Sequence, residues 1–179
     1  MTKFETALQT VFKHEGAFVD HPQDPGGATH YGVSLRWLKS LGDSNADGIL
    51  DGDFTEDGNV DVADIKAMTK EQAQTLYQTQ WWDKYGYEKI EDVTLATKVF
   101  DFAINMGAKQ AHKCLQRALR AAAGAIVNDD GILGPLTLTA INQINPDLLL
   151  VALRSEAAGF YRSLNKHEFI KGWLNRAYA

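Results

Sequence analysis

Residues 14–32 read HEGAFVDHPQDPGGATHYG, and this stretch decides how we expect the chain to fold. It begins where an apolar helix ends and continues into a loop rich in turn-forming residues. Apolar side chains from Phe4 to Phe12 recur at helical spacing, and Glu15 continues that stripe, three residues after Phe12. Because a carboxylate on the core side of a helix is partly desolvated, we expect Glu15 to hold its proton more readily than an exposed acid.

The loop that follows is punctuated by Pro22, Pro25, Gly26 and Gly27, which favour a tight and irregular path. Residues 29–33 then suit a short extended segment. Ser34 is a candidate cap for a helix that carries Leu35, Trp37, Leu38 and Leu41.

The remainder of the chain predicts helices almost throughout. Capping-box patterns begin helices at Thr2 and Thr69, and Asn145-Pro146 predicts a third helix start. Gly107 and Gly124 follow two apolar helical stripes and predict their ends. The sequence therefore indicates a mainly α protein.

Composition limits the class of protein. The chain has 179 residues, of which 45% are hydrophobic and 23% charged, which suits one globular domain or one domain with a small C-terminal lobe. Cys114 is the only cysteine, so no intramolecular disulfide can form and a buried thiol is expected. Neither a signal peptide nor a run of about 20 apolar residues is present, so we expect a cytoplasmic product without stable membrane insertion.

The charge is unevenly distributed. Residues 43–64 contain eight acids and no Lys or Arg, so this segment carries −8 and the remainder +3 of the net charge of −5. Two copies of a calcium-loop pattern cover the segment, with oxygen-bearing residues at positions 1, 3 and 5, a carbonyl at 7 and glycine at 6. They resemble EF-hand and dockerin repeats. The expected ligands are Asp43, Asn45, Asp47 and Ile49 in the first copy, and Asp53, Thr55, Asp57, Asn59 and Asp64 in the second.

The two copies overlap at Asp53 and Phe54, so two complete EF-hands cannot form. The first copy has Phe54 at position 12, where a carboxylate belongs, whereas the second has Asp64. We therefore expect one or two bound Ca²⁺ ions in a structural or regulatory role. A solvated acidic loop is the alternative.

Glu15 and its loop suit glycoside hydrolysis, which needs a protonated carboxylic acid and a group across the scissile bond that holds water or stabilises the cation. Asp24 and Thr29 are the candidates for that second role, and Asp20 is a weaker one. An ordinary helix-end carboxylate is the alternative for Glu15, and a turn-forming role is the alternative for Asp24.

The same residues resemble glycoside hydrolase family 108, whose members are peptidoglycan muramidases common among phage endolysins. The resemblance rests first on Glu15-Gly16, on residues 22–29 (PQDPGGAT) and on Tyr31-Gly32-Val33. Ala17 and Phe18 stand where the family has Gly and Tyr. Further similar segments are residues 100–107, 115–119, 130–135 and 172–176.

The resemblance implies a lysozyme-like helical fold, with a muramidase region at residues 1–107 and a helical peptidoglycan-binding lobe at residues 108–179. It also implies cleavage of the β-1,4 bond between N-acetylmuramic acid and N-acetylglucosamine, with Glu15 as the catalytic acid. The expected partner is the peptidoglycan glycan strand, without nucleic acid, and the expected state is a monomer. Release to the cell wall would follow holin-type export. A non-catalytic, calcium-dependent peptidoglycan-binding protein is the alternative. An amidase or peptidase is disfavoured, because the sequence offers neither a zinc-ligand pattern nor a paired nucleophile.

Four residues are candidates for substrate binding, namely His30, Tyr31, Trp81 and Asn105. Trp81 belongs to an aromatic cluster with Trp82, Tyr85 and Tyr87, which suits either core packing or sugar stacking. His30 suits either a hydrogen bond to substrate or an ordinary surface position.

Overall fold

The computed structural model describes residues 1–14, 18–20, 27–44 and 46–179, with the backbone alone at His14. Helices dominate these residues, which confirms the predicted mainly α fold class. The α-helices are α1 (Lys3–His14), α2 (Leu35–Lys39), α3 (Val62–Ala67), α4 (Lys70–Tyr77), α5 (Val93–Met106), α6 (Ala108–Ala123), α7 (Pro135–Gln143), α8 (Pro146–Ser163) and α9 (His167–Tyr178). A π-helix spans Gln78–Asp83 and a 3-10 helix spans Tyr87–Lys89. Strands β1 (Thr29–His30) and β2 (Val33–Ser34) pair antiparallel.

The chain forms two compact units. The N-terminal unit comprises residues 8–77, and the C-terminal unit comprises residues 1–7 and 78–179. The predicted boundary at residue 107 falls inside the C-terminal unit, where α5 packs against α6 and α8.

The core of the N-terminal unit is small and aliphatic at its centre. Leu8 and Val11 of α1 are buried together with Val33, Leu38 and Ile65. The hairpin, α2 and α3 therefore share one apolar layer, and the acidic segment connects α2 to α3 over its surface.

The C-terminal unit has an aromatic core at one end. Trp82 lies 5.4 Å from Phe100 and 5.9 Å from Tyr87, in edge-to-face contacts, and Phe4 lies 5.7 Å from Trp82. Trp82 and Tyr87 are buried, so the core-packing interpretation holds for these two members of the predicted aromatic cluster.

A buried ion pair attaches the last helix to α5. Asp101 is fully buried. Its Oδ1 accepts a hydrogen bond from Arg176 Nε at 3.0 Å and lies 2.9 Å from Nη2 of the same guanidinium. Lys98 donates to the Arg176 carbonyl at 2.7 Å. The family-like terminal segment 172–176 therefore includes the cation of a buried pair.

The predicted caps are confirmed. Thr2 and Glu5 exchange hydrogen bonds at the start of α1, and Thr69 and Gln72 do so before α4. Ser34 Oγ accepts from Trp37 N before α2.

Helix α7 is an element that the sequence patterns did not predict. Two sequence features indicate this helix. Pro135 follows Gly134 and suits the first helical position, and Thr137 and Ile141, four residues apart, are both buried on one face. The hairpin, by contrast, lies where a short extended segment was expected.

Among the described residues, no single helix is long and apolar enough to cross a membrane. Only α7 and α8 counted together, across a bend of 119°, reach that length and composition.

Candidate active site

A backbone bridge closes the loop that follows α1. Val19 N donates to Thr29 O at 2.9 Å, and Thr29 N donates to Val19 O at 2.7 Å. Thr29 also pairs with Ser34 across the hairpin. The two ends of the glycine- and proline-rich loop are therefore adjacent, although residues 21–26 lie outside the described set.

The hairpin turns at Tyr31 and Gly32, whose φ angles are 50° and 78°. Positive φ at both central residues is the requirement of a tight type I′ turn, for which tyrosine is an uncommon choice. Contacts on both sides hold Tyr31 there. Its carbonyl accepts from Tyr77 Oη at 3.1 Å, and its ring stacks on His30 at 4.0 Å between centroids.

Four rings form an aromatic face in the N-terminal unit, comprising Phe12, Tyr31, Trp37 and Tyr77. The centroid of Phe12 lies 6.2 Å from that of Tyr31 and 6.1 Å from that of Tyr77. Trp37 stacks on Tyr77 at 6.5 Å with an interplanar angle of 14°. Tyr77 is buried while the other three are partly exposed, so the face combines a fixed interior ring with rings that reach the surface.

His30 has a defined tautomer. Its Nδ1 lies 3.0 Å from the carbonyl oxygen of Ile65 on α3. Because a carbonyl can only accept, Nδ1 carries the proton, and in the neutral ring Nε2 is an acceptor. The same contact ties the hairpin to α3.

Two cations border the aromatic residues. Lys70 Nζ lies 5.3 Å from the ring centroid of Phe12, and Lys66 Nζ lies 5.4 Å from that of Phe18. Both lysines are exposed. Two ammonium groups therefore lie against aromatic rings of this unit, within reach of cation–π attraction.

The structure describes some of the predicted catalytic residues. Glu15 and Asp24 lie outside the described residues. Thr29 is partly buried in β1, directly beside His30 and Tyr31, and the weaker candidate Asp20 is exposed beside Val19. Three of the predicted site residues, at positions 29–31, therefore form one hairpin.

The other two predicted substrate contacts belong to the C-terminal unit. Trp81 is partly buried in the π-helix, 6.0 Å from Tyr85 between centroids. Asn105 is exposed on α5, and its Oδ1 accepts from Tyr161 Oη at 2.6 Å. Their contact with substrate stays a prediction.

The two acidic loops fold alike. In the first, Asp43 accepts from the N–H groups of Asp47 at 3.1 Å and Gly48 at 2.8 Å. In the second, Asp53 accepts from Asp57 at 3.2 Å and Gly58 at 2.7 Å. The glycines have φ of 87° and 86°, which favours glycine at position 6 of each copy.

The predicted position-12 ligand is already engaged. Asp64 Oδ1 accepts from Phe54 N, Thr55 N and Thr55 Oγ1, and Oδ2 accepts from Asp61 N at 2.7 Å. Burial raises the pKa of this carboxyl, but these hydrogen bonds outweigh burial and lower it. Among the described residues, no three His, Cys, Asp or Glu side chains form a group that could hold a metal ion. The oxygen donors at positions 1, 5 and 7 suit calcium chemically. The carboxylate of Asp64, by contrast, is occupied by hydrogen bonds from Phe54, Thr55 and Asp61. Asn45 lies outside the described residues.

Sequence reasoning missed the neighbours of the hairpin. Phe12, Tyr77, Lys66 and Lys70 lie far apart in the chain, and only packing brings them to Tyr31 and Phe18. The apolar stripe of α1 indicated that Phe12 faces the interior, but no local pattern indicated its partner rings.

Comparison with known proteins agrees with this geometry. Residues 8–107 match the family Glycosyl hydrolase 108, and residues 110–178 match the family Predicted Peptidoglycan domain. The structure of Brucella abortus SagA is similar, with a TM-score of 0.77 and 31% identity over 98% of this chain and 89% of that one. No curated protein matches the chain.

The two families together identify a glycoside hydrolase that acts on peptidoglycan, with a mainly α, lysozyme-like fold. The family match runs from Leu8, within α1, to Gly107, and it includes the hairpin and the acidic segment. The chain belongs to glycosyl hydrolase family 108.

Proposed function

We propose that this peptidoglycan hydrolase is an N-acetylmuramidase that cleaves the β-1,4 bond between N-acetylmuramic acid and N-acetylglucosamine. Glu15 is the acid that protonates the leaving oxygen. Asp24 or Thr29 orients water or stabilises the positive charge that develops on the sugar ring.

The Val19–Thr29 bridge is the observation that supports this assignment. Glu15 precedes Val19 by four residues, and Asp24 falls between the two bridged residues in sequence. The bridge places Thr29 beside Val19, which follows Glu15 by four residues in the sequence. Such closure suits a reaction whose acid and second group must flank one bond.

The neighbouring hairpin supplies groups that suit sugar binding. The exposed part of the aromatic face offers apolar ring surface to pyranose rings, and His30 Nε2 offers an acceptor to a hydroxyl or amide N–H. Lys66 and Lys70 add positive charge that suits the carboxylates of the muramic acid and its peptide. Trp81 and Asn105 are further candidates on the C-terminal unit.

The test is Glu15→Gln, assayed as release of reducing ends from purified peptidoglycan. We expect loss of at least about 100-fold, because general acid catalysis contributes ~10²–10⁴-fold. Glu168→Gln, an exposed acid on α9, is the matched control and should keep wild-type activity. Mass spectrometry of the products should show muramic acid at the new reducing end. Wild-type activity in Glu15→Gln would contradict the role of Glu15. If the wild type itself releases no reducing ends, the non-catalytic peptidoglycan-binding protein becomes the favoured function.

We also propose that the acidic insertion binds Ca²⁺ in a structural role. The repeated hydrogen-bond pattern supports this, since it orients Asp43 and Asp53 alike, and eight acids without a counter-charge repel one another. Asp47 and Asp57, with the carbonyls of Ile49 and Asn59, complete the oxygen donors.

Thermal unfolding with Ca²⁺, with Mg²⁺ and with a chelator tests this role. Calcium at 100 times its Kd should stabilise the wild type by about 2.7 kcal/mol, and Asp53→Asn should lose part of that gain. Asp83→Asn, an exposed acid in the π-helix, should keep it. An unfolding temperature that is independent of calcium contradicts the proposal.

The family resemblance to phage endolysins supports a further proposal, namely that the enzyme lyses its host after release through a holin-type pore. Expression in bacteria with and without such a pore protein tests it. Rapid lysis only in the presence of the pore is expected, and equal growth in both cultures contradicts the proposal.

A further inference from the structure

A cleft of about 290 Å³ lies between the loop that follows α6 and the start of α7, within the peptidoglycan-domain segment. Three aliphatic side chains of this region are exposed to an unusual extent. Ile126 is 99% exposed, Leu136 81% and Ile132 65%, and all three line the cleft. Clustered exposed aliphatic groups indicate a binding surface.

The cleft is built by buried polar side chains of α6. Gln116, 1% exposed, donates to Asp130 Oδ1 at 2.8 Å and to the Ile132 carbonyl at 3.0 Å, and accepts from Gly131 N at 2.8 Å. His112, 2% exposed, donates from Nδ1 to the Gly131 carbonyl at 2.9 Å. These hydrogen bonds attach the loop to α6, while Ile126 and Ile132 stay exposed.

Close packing at Gly131 adds to this order. Its φ is 82°, and a Cβ atom there would come 2.7 Å from the Lys109 carbonyl oxygen. The loop therefore lies directly against the backbone of α6, which only glycine permits.

The two adjacent acids of the loop differ in their partners. Asp129 pairs with Arg117 at 2.7 Å and Arg120 at 3.3 Å, which neutralise it. Asp130 Oδ1 accepts only from neutral donors, Gln116 Nε2 and Ile132 N. No Lys or Arg among the described residues forms an ion pair with Asp130, so its exposed carboxylate is open to a cationic ligand at the edge of the cleft.

The lining also indicates which part of peptidoglycan fits. Sugar sites use aromatic rings, and none of the described residues that line this cleft is aromatic. Aliphatic walls with one carboxylate instead suit small methyl-bearing side chains and an ammonium group. Peptidoglycan stem peptides contain both, as alanines and a diamino acid.

We propose that this cleft binds the stem peptide of peptidoglycan, with the free ammonium group of its diamino acid at Asp130 and its alanine methyl groups against Ile126, Ile132 and Leu136. The inference deepens the proposed function, because it rests on peptidoglycan as the substrate. It gives the C-terminal helices a peptide-reading role that is separate from cleavage of the glycan.

Calorimetry with the tetrapeptide L-Ala-γ-D-Glu-L-Lys-D-Ala tests the proposal on the full chain. Asp130→Asn keeps an acceptor for Gln116 and Ile132 but removes the charge, and it should weaken binding about tenfold. Leu136→Ser should weaken it severalfold. Asp147→Asn and Leu148→Ser, exposed changes at the start of α8, are the matched controls and should bind like the wild type. Acetylating the lysine amine should mimic Asp130→Asn.

Activity assays separate this proposal from the proposed function. Asp130→Asn should release reducing ends at the wild-type rate from glycan strands stripped of peptides, and more slowly from intact peptidoglycan. Equal tetrapeptide affinity in wild type, Asp130→Asn and Leu136→Ser would overturn the cleft assignment, as would displacement of the peptide by N-acetylglucosamine oligomers. If the wild type releases no reducing ends from any substrate, the muramidase assignment is wrong. The calorimetric titration with the tetrapeptide would still test whether the cleft binds the stem peptide.

Discussion

At the scale of single residues, the hairpin turn is the most constrained point of the candidate active site. Tyr31 occupies a backbone conformation, φ 50°, that costs a non-glycine residue of order 1 kcal/mol, and packing against His30 and Phe12 offsets that cost. Such conformations persist where the surroundings determine them, and they cluster at binding sites. The position of Tyr31 is therefore consistent with a role in the site.

Tyr77→Phe tests how much the carbonyl contact contributes. The substitution removes the O–H that donates to the Tyr31 carbonyl but keeps the ring, so we expect a loss of about 1 kcal/mol in the free energy of unfolding. Urea unfolding measures it. Tyr178→Phe, 53% exposed, is the matched control, and equal losses in both variants would show that the contact contributes nothing specific.

His112 is a second residue whose environment has a measurable consequence. It is buried, with Nε2 2.8 Å from Tyr87 Oη, so that the phenol donates to the ring when Nδ1 donates to Gly131. Burial lowers the pKa of His112, while the bond to the Gly131 carbonyl opposes that shift. The folded chain therefore takes up this proton less readily than the unfolded chain.

Stability should consequently fall as the pH drops below about 6.5, the pKa of an unfolded histidine. Below that pH the unfolded state binds a proton that the folded state does not bind. The free energy of unfolding therefore falls by up to about 1.4 kcal/mol per pH unit. Urea unfolding from pH 8 to pH 5 measures this slope, which should flatten in His112→Gln. His167→Gln, exposed on α9, serves as control. The same slope in wild type and His112→Gln would contradict the prediction.

At the scale of elements, the acidic insertion is held together by its own carboxylates. Asp64 joins the second loop to α3, since its two oxygens accept from the backbone of Phe54 and Thr55 at the start of the loop and of Asp61 at the helix cap. The Asp61–Asp64 capping box was not anticipated from sequence, because Asp64 was assigned to a metal. The conformation of the second loop thus depends partly on the side chain of Asp64.

Asp64→Asn should destabilise the chain by about 2 kcal/mol in the presence of a chelator, since an amide cannot accept all of these bonds. Differential scanning calorimetry measures the change. Asp83→Asn should alter it little, and an unchanged unfolding temperature in Asp64→Asn would show that the loops are ordered by other contacts.

At the scale of the whole molecule, the compact units do not follow the family segments. The peptidoglycan-domain match begins at residue 110, yet α5 supplies part of the core that α6, α8 and α9 share. Asp101 of α5 holds Arg176 of α9, and Tyr87 before α5 holds His112 of α6. The lobe is therefore incomplete without α5.

A fragment of residues 108–179 should accordingly lack a cooperative thermal transition in circular dichroism. Removing α5 leaves Arg176 without Asp101 and removes the helix that packs against α6 and α8. A fragment of residues 78–179 keeps these contacts and should melt cooperatively. Equal cooperativity in both fragments would contradict the contribution of α5.

The amino-acid sequence indicated the fold class and the type of enzyme. Periodicity and caps predicted the mainly α fold, because apolar spacing and capping boxes act within one turn of helix. The family motifs, from Glu15 to Gly32, indicated the peptidoglycan hydrolase. The predicted calcium site and the catalytic roles of Glu15 and Asp24 stay predictions.

The tertiary structure decided what depends on contacts between distant segments. It paired Val19 with Thr29, set Phe12 and Tyr77 around Tyr31, separated the buried Trp82 from the partly exposed Trp81, and used Asp64 as a cap. The sequence alone determines local periodicity, since helical hydrogen bonds join residues four apart. The partners of a side chain depend on which faces become buried together, and packing of the whole chain decides that.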